Sequence, residues 1–315
     1  MRILPRLIPD GTHIPFMSLR HPALIISLIL VLGSIALDFT KGLNFGIDFQ
    51  GGILIEARTT EPADISAMRN EMGNLGLGEV ALQEFGDPRD VLIRIERQAG
   101  DQAAQDAAVG IAKTQLTELY GDDIEFRRTE FVGPKVSEEL FEAGIWAVVI
   151  AVGCVLLYIW FRFEWQFGIG AIAALVHDVA LTIGMFSLLG LEFNLAIVAA
   201  ILTIVGYSLN DTVVVFDRVR ENLRKYKKQE ITKIIDRSLN ETLARTVMTS
   251  VTTLIALTAL YVFGGEVIKG FTFAMIWGVL IGTYSSIFIA SPVLIMFNLR
   301  AASVELPKPA QSDSA

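Results

Sequence analysis

Six long apolar runs alternate with polar intervals along the chain, and the intervals are very unequal. The runs cover Pro22 to Leu37, then residues 140–160, 167–189, 194–216, 247–263 and 271–297. About 20 apolar residues, rising about 1.5 Å each in a helix, cross a hydrocarbon core of about 30 Å. The pattern therefore predicts six membrane-spanning helices. The run 247–263 is at the short limit, and 271–297 is longer than needed, so a tilted or partly interfacial course is expected for it. Small residues punctuate the runs (Gly168, Gly170, Ala173, Ala174; Gly278, Gly282, Ser285, Ser286) and are expected as helix-packing contacts. Arg2, Arg6 and Arg20 precede the first run, and Ser34-Ile35-Ala36 has the form of a cleavage site. The leader is long and further spans follow, so an uncleaved first span is expected.

The long interval, residues 41–135, has a different periodicity. Gly46 to Gly52 is rich in turn formers and reads as a glycine hinge at the exit from the membrane. Ile53–Ala57 alternates as a strand, and Pro62–Leu75 carries Ile65, Met68, Met72 and Leu75 at helical spacing. Val80–Phe85 and Val91–Glu96 are predicted strands, joined by a turn at Gly86-Asp87-Pro88-Arg89. Asp101–Tyr120 reads as a second helix and Ile124–Val132 as a last strand. The order β-α-β-β-α-β predicts an α+β ferredoxin-like domain. It is acidic and has no stacking aromatic pair on its strands, which argues against nucleic acid. Its helices show no catalytic constellation.

The other polar interval of note is 217–245. Ile231, Ile234, Ile235, Leu239 and Leu243 recur at helical intervals opposite Lys233, Asp236 and Arg237, which predicts an amphipathic helix along the inner membrane surface. Its charge would either set topology or grip anionic lipid or a cytoplasmic partner.

Composition sharpens this picture. Hydrophobic residues make up 52% of the 315 and charged ones 19%, below the share usual in a soluble domain. The net charge of −8 is unevenly spread. Residues 41–135 hold ten Lys/Arg against seventeen Asp/Glu, whereas 217–245 hold nine against five. Positive residues favour the cytoplasmic side, so both termini and the 217–245 stretch are expected inside, and the acidic domain outside, which in a Gram-negative cell is the periplasm. The expected division is a cytoplasmic N-terminus (1–20), helix 1 (21–40), a periplasmic domain (41–137) and helices 2–4 (138–216). A basic loop (217–245), helices 5–6 (246–299) and a cytoplasmic tail (300–315) follow. The single Cys154 permits no disulfide framework.

Ionisable residues inside apolar runs are costly, about 2.5–3.5 kcal/mol each on insertion scales, and mark functional candidates. His177 and Asp178 fall mid-way along the third run, and Asn210 and Asp211 lie near the inner end of the fourth. Arg245 stands at the mouth of the fifth, beside a threonine stripe at Thr242, Thr246, Thr249 and Thr253. Asp211 and Arg245 could form a static pair fixing helix register, or a protonatable site in which burial raises the acid's pKa and the arginine lowers it. His177 and Asp178 fit either a relay or a packing and hydrogen-bonding role. Asp217 and Arg218 read as interfacial anchors.

One contiguous stretch, Gly206 to Asn222 (GYSLNDTVVVFDRVREN), resembles the signature of the SecF protein-export membrane proteins of the SecD/SecF family and RND superfamily. Other segments fall in that family's order: Gly46-Ile47-Asp48-Phe49 with Gly51-Gly52, His177-Asp178-Val179, Leu191-Glu192-Phe193-Asn194-Leu195, and Asn240-Glu241-Thr242-Leu243 before Arg245-Thr246. The resemblance extends from about residue 20 to residue 300.

The resemblance implies one RND-type six-helix repeat acting as an auxiliary subunit of the Sec translocase. Such a subunit would pair with SecD, associate with the SecYEG channel, follow SecA indirectly, and draw unfolded preprotein outward using the proton motive force. It implies a proton relay at Asp211 and Arg245, with Asn210 beside them and Asp178 and His177 as auxiliary members. Gly46, Asp48, Gly51 and Gly52 would be a family motif. No cofactor or metal is implied, and no Gly-x-x-x-x-Gly-Lys-Ser/Thr loop is present to bind a nucleotide. Membrane lipid is the remaining expected contact. The competing reading is half of an RND-type exporter of small molecules or lipids, and a purely structural assembly subunit is a third.

Overall fold

A computed structural model describes residues 12–265 and 268–297. Arg2, Arg6, Arg300 and the 300–315 tail lie outside the described residues. Among the described residues, six helices are long and apolar enough to cross a membrane: Phe16–Lys41, Pro134–Arg162, Trp165–Leu189, Leu195–Lys225, Ile231–Phe263 and Lys269–Met296. The elements are, in order, α1 (Arg20–Lys41), β1 (Asn44–Phe45), α2 (Ile47–Gln50), β2 (Gly52–Arg58), α3 (Ile65–Gly73), β3 (Val80–Phe85), β4 (Asp87–Ile95), α4 (Gln102–Tyr120), β5 (Glu125–Val132) and α5 (Pro134–Arg162). They continue with α6 (Trp165–Leu189), β6 (Glu192–Phe193), α7 (Leu195–Lys225), α8 (Ile231–Phe263), α9 (Lys269–Ser285) and α10 (Ser291–Met296). A π turn at Ser286–Ala290 joins the last two into one span.

The extramembrane domain follows its sequence pattern closely. Its helices start where aspartates cap them: Asp64 accepts from the Ser66 and Ala67 amides, and Asp101 from Ala104. Strands β2–β5 form an antiparallel sheet in the order β3-β4-β2-β5, the ferredoxin-like arrangement. Alternation along β2 sends Ile53, Ile55 and Ala57 toward Met68, Met72, Ala112 and Leu116 of the two helices. Leu54 and Glu56 point the other way, toward the membrane helices, and are also buried. The turn expected over Gly86–Arg89 is tighter than that. Only Gly86, at φ 79°, interrupts the hairpin, and Asp87 already pairs with Phe85.

The membrane helices form a bundle with α6, α7 and α9 at its centre, where most buried side chains lie. Close approach depends on the small residues. A Cβ on Gly170 would lie 2.9 Å from the Ala290 carbonyl, and one on Gly282 would lie 3.0 Å from Ser208. Gly278 packs directly against Ile204.

Two expectations are corrected. Residues 217–245 are not a loop carrying a separate surface helix. α7 runs on to Lys225, and the amphipathic stretch is the first part of α8, continuous with the fifth span. Nor does its apolar face lie in lipid: Ile235 and Leu239 pack against Phe16, Met17, Val215, Phe216 and Val219. The apolar runs underestimated these helices because polar residues paired at their ends carry the helix beyond the hydrocarbon region. Arg218 donates to Glu241 (2.7 Å), Asn222 to Glu241 (2.7 Å) and Ser238 (3.0 Å), and Arg162 to Asp217 (2.7 Å). The N-terminal segment joins them, since the Met17 amide donates to Asp236 and that of Ile14 to Asn240, both at 2.8 Å.

Candidate functional site: buried carboxylates and a clamped motif

Asp178 stands near the middle of α6 and is 1% exposed. Its Oδ2 accepts hydrogen bonds from Ser208 of α7 (2.6 Å) and Ser285 of α9 (2.8 Å), and its Oδ1 lies 3.0 Å from Nδ1 of His177. The His177 ring stacks on Tyr284, with centroids 5.9 Å apart, and the Tyr284 hydroxyl lies 2.9 Å from Ser27 of α1. One carboxylate thus ties α6, α7 and α9 together, and Tyr284 extends the network to α1. His177 Nε2 is buried without a partner.

Asp211, about 24 Å along α7 from Leu195, has a different setting. It is 3% exposed, and its Oδ1 accepts from Thr246 of α8 at 3.3 Å. Its Oδ2 is buried and unpartnered. Among the described residues Asp211 forms no ion pair: Arg245 and Asn210 are both exposed on the bundle surface next to this contact. The sequence-predicted group is therefore brought together in part, with the acid inside and the arginine facing out. Around the two acids run further hydroxyl contacts. Thr212 donates to Ser286 (3.2 Å), Tyr207 to Ser250 (3.4 Å), and Ser250 meets Thr283 at 2.8 Å. In the sequence, Ser285 and Ser286 are expected as packing residues, and Ser208 falls inside the Gly206 to Asn222 signature without an assigned partner. A signal for Ser208 is its spacing: it lies three residues before Asp211 and so shares a face of α7 with it.

At the opposite end of α7 lies the glycine motif. The Leu195 amide, first in α7, donates to Asp48 (2.9 Å), and Asn194 caps the same helix through the Ile197 amide. β1 pairs in parallel with β6, bringing Asn44 to Glu192 and Phe45 to Phe193. Phe45, Phe49, Phe141 and Phe193 form an aromatic cluster over this junction. Gly51 (φ 71°) and Gly52 (φ 108°) adopt conformations that other residues avoid, and a Cβ on Gly52 would lie 2.6 Å from the Ile95 carbonyl. On Gly46 it would lie 2.6 Å from Glu192. The segment expected to be a hinge is thus packed on both sides. Arg94 of β4, missed in the sequence, holds it by donating to Asn44 (2.6 Å), Gln50 (2.8 Å) and the Phe45 carbonyl.

Beneath the sheet, a cavity of about 310 Å³ separates the domain from the helix ends, lined by Glu56, Arg128, Glu192 and Lys269 among apolar side chains. Burial pushes the Glu192 carboxyl above its ordinary value, opposed by Arg94, a hydrogen bond from Asn194, and Arg128.

These features define a class: a six-span membrane protein with one ferredoxin-like domain clamped to the spans, and carboxylates buried within them. The chain matches two family models, "Protein export membrane protein SecD/SecF, C-terminal" over residues 111–300 and "SecD/SecF GG Motif" over residues 39–63. It is 47% identical to a protein translocase subunit SecF of Rickettsia bellii over 298 residues, 94% of this chain and 98% of that one. With a subunit of the same name from Magnetococcus marinus it shares 50% over 289 residues, covering 91% and 93%. The crystal structure of SecDF from Thermus thermophilus, described as a translocon-associated membrane protein, superposes with a TM-score of 0.83 at 35% identity. That match covers 94% of this chain and 40% of the larger one. SecDF in its super-membrane-facing form gives 0.69 at 34% identity, covering 96% and 41%. The chain belongs to the SecD/SecF family of protein-export membrane proteins.

Proposed function

We propose that this chain is an accessory subunit of the Sec translocase which, with SecD, uses the proton motive force to promote preprotein export. Asp211 is the proton carrier in this reading, Arg245 its gate and Asn210 a neighbouring ligand for water. The observation that carries it is the state of Asp211: inside a span, buried, bonded to one hydroxyl, with one oxygen free and, among the described residues, no ion pair. A static ion pair would hold Arg245 against Asp211. Here the arginine is outside, where a covering partner or a moving helix can bring it in.

Asp178 serves as the fixed counterpart. With both serines and His177 already on it, it holds α6, α7 and α9 in register. The clamp at Asp48 and β1·β6 gives the mechanical link, because the helix carrying Asp211 is the one whose first amide the glycine motif caps. A change of charge on Asp211 that shifts α7 is thereby transmitted to the extramembrane domain. One proton crossing the membrane supplies about 2.3 kcal/mol per 100 mV.

Lys/Arg asymmetry supports a periplasmic position for that domain and a cytoplasmic one for the termini. Asn210 and Arg245 on the bundle surface need cover from lipid, and a second six-span chain of SecD type supplies it. SecYEG, preprotein and, through them, SecA are the further partners. The test is purification of the full chain from its own membranes in mild detergent, followed by translocation into inverted vesicles. A SecD-type chain is expected to copurify, and export stimulated by a proton gradient is expected to depend on the pair. Gradient-stimulated export in vesicles lacking the chain would overturn the reading.

A further inference from the structure

At the end of the bundle away from the extramembrane domain, α5 and α7 flank an open cavity of about 500 Å³ lined by Arg162, Asp217, Arg220, Glu221, Arg224 and Lys225. The six charges do not cancel locally. Asp217 is taken by Arg162 at 2.7 Å, and Glu221 by Arg218, which is outside the cavity. Among the described residues, Arg220, Arg224 and Lys225 form no ion pair. Arg220 and Arg224 are four residues apart, so they project from one face of α7 about 6 Å apart along its axis. Arg220 Nε is buried without an acceptor, and its Nη1 reaches the Arg162 carbonyl at 3.5 Å. Three cations with spare donors thus face one space.

The surroundings point to the kind of anion that these cations would meet. Trp160, Phe161 and Trp165, 75%, 85% and 55% exposed, surround Arg162 where α5 passes into α6. Exposed tryptophans next to arginines mark the level of lipid headgroups. The cavity therefore opens where phosphodiesters are concentrated, and paired guanidinium groups fit phosphate oxygens well. The cations at the end of α7 also interact favourably with its helix dipole, but that leaves Nε of Arg220 without an acceptor.

We propose that this cavity is a binding site for the phosphate headgroup of one acidic phospholipid, held by Arg220, Arg224 and Lys225. The lipid would fix the ends of α5 and α7 against each other, beside the Arg162–Asp217 pair. None of these residues belongs to the proposed proton path.

The test uses the full-length chain, with its copurifying partner if present, in neutral detergent and in nanodiscs. Native mass spectrometry counts retained lipids during titration with phosphatidylglycerol or with phosphatidylcholine of the same acyl chains. One phosphatidylglycerol is expected to be retained preferentially. Arg224 and Lys225 are exposed, so the Arg224→Gln/Lys225→Gln variant is expected to fold and to bind it at least about tenfold more weakly. Lys227→Gln/Lys228→Gln, which removes the same charge just outside the cavity, is expected to stay within about twofold. Equal weakening by both double variants would show diffuse attraction instead of a site and overturn the proposal, as would no weakening by the first. Displacement of the lipid by millimolar inorganic phosphate would assign the site to a soluble anion and overturn it too.

Discussion

The two buried aspartates differ in how completely their oxygens are satisfied, and this separates a fixed role from a changeable one. Asp178 has two serine hydroxyls and an imidazole on it. Replacing it with Leu strands these donors, and hydrogen bonds to a charged group contribute about 1.5–3 kcal/mol each. Asp178→Leu is expected to lower the thermal stability of the purified protein by several degrees, whereas Asp178→Asn is expected to lose less, because an amide oxygen can still accept from the serines. Equal melting temperatures for the two would contradict this assignment. Glu192 offers a pH test outside the spans. Burial raises its pKa in the folded protein, so the protonated form favours docking of β1 on β6. That contribution is fully present below the ordinary value of 4.5 and is lost as pH rises through the raised value. The protection factor of the Gly46 amide, which donates to the Phe193 carbonyl, is expected to fall across that range, and to stay level in Glu192→Gln. Residues such as Asp178 and Asp211 were legible in the sequence because a charge in an apolar run is conspicuous. Ser208, Ser285, Glu241 and Arg94 were not. They are ordinary in their own segments, and acquire a role through partners between 19 and 107 residues away.

Among the elements, α7 is the one that connects everything. Its first amide is capped by the glycine motif, its middle holds Asp211 and Ser208, and its end contributes Asp217, Arg218 and Asn222 to polar contacts with α5 and α8. Loss of an aspartate cap costs about 0.5–2 kcal/mol. Asp48→Ala is therefore expected to speed hydrogen exchange at Leu195 while leaving exchange around Asp211 unchanged. If Leu195 exchanges as before, Asp48 is not holding the helix. Gly52→Ala forces a side chain onto a backbone at φ 108° and against the Ile95 carbonyl, and strain of that kind costs about 1–3 kcal/mol. The β-α-β-β-α-β order was legible because hydrophobic period and capping aspartates agree. The continuity of α8 was obscured, because its first turns are half polar and rest on the core through Ile235 and Leu239, a contact that only the assembled bundle creates.

At the scale of the whole molecule, the proposed function turns on sidedness and on a partner chain. Cysteines placed at exposed positions on each side of the bundle, Asp106→Cys in the domain and Lys228→Cys between α7 and α8, are expected to label oppositely in a Cys154→Ser background. With the outer membrane opened, an impermeant maleimide should reach the first and spare the second; the reverse pattern would invert the topology. Six runs of apolar residues made the span count legible, whereas their order around α6, α7 and α9 depends on which small residues meet, and that is fixed by partners in other spans. The exposed Asn210 and Arg245 leave one face of the bundle polar at membrane depth, which is why a SecD-type partner is central to its proposed function. The most direct test is preprotein translocation into inverted vesicles carrying the intact complex with Asp211→Asn, supplied with SecA and ATP, with and without an imposed proton gradient. Asparagine keeps the shape and the Thr246 contact but cannot titrate, so the complex is expected at normal abundance, with SecA-driven initiation retained and gradient stimulation abolished. Asp211→Glu is expected to retain part of that stimulation. Full stimulation by the gradient in the Asp211→Asn complex would contradict the assignment of Asp211 as the proton carrier.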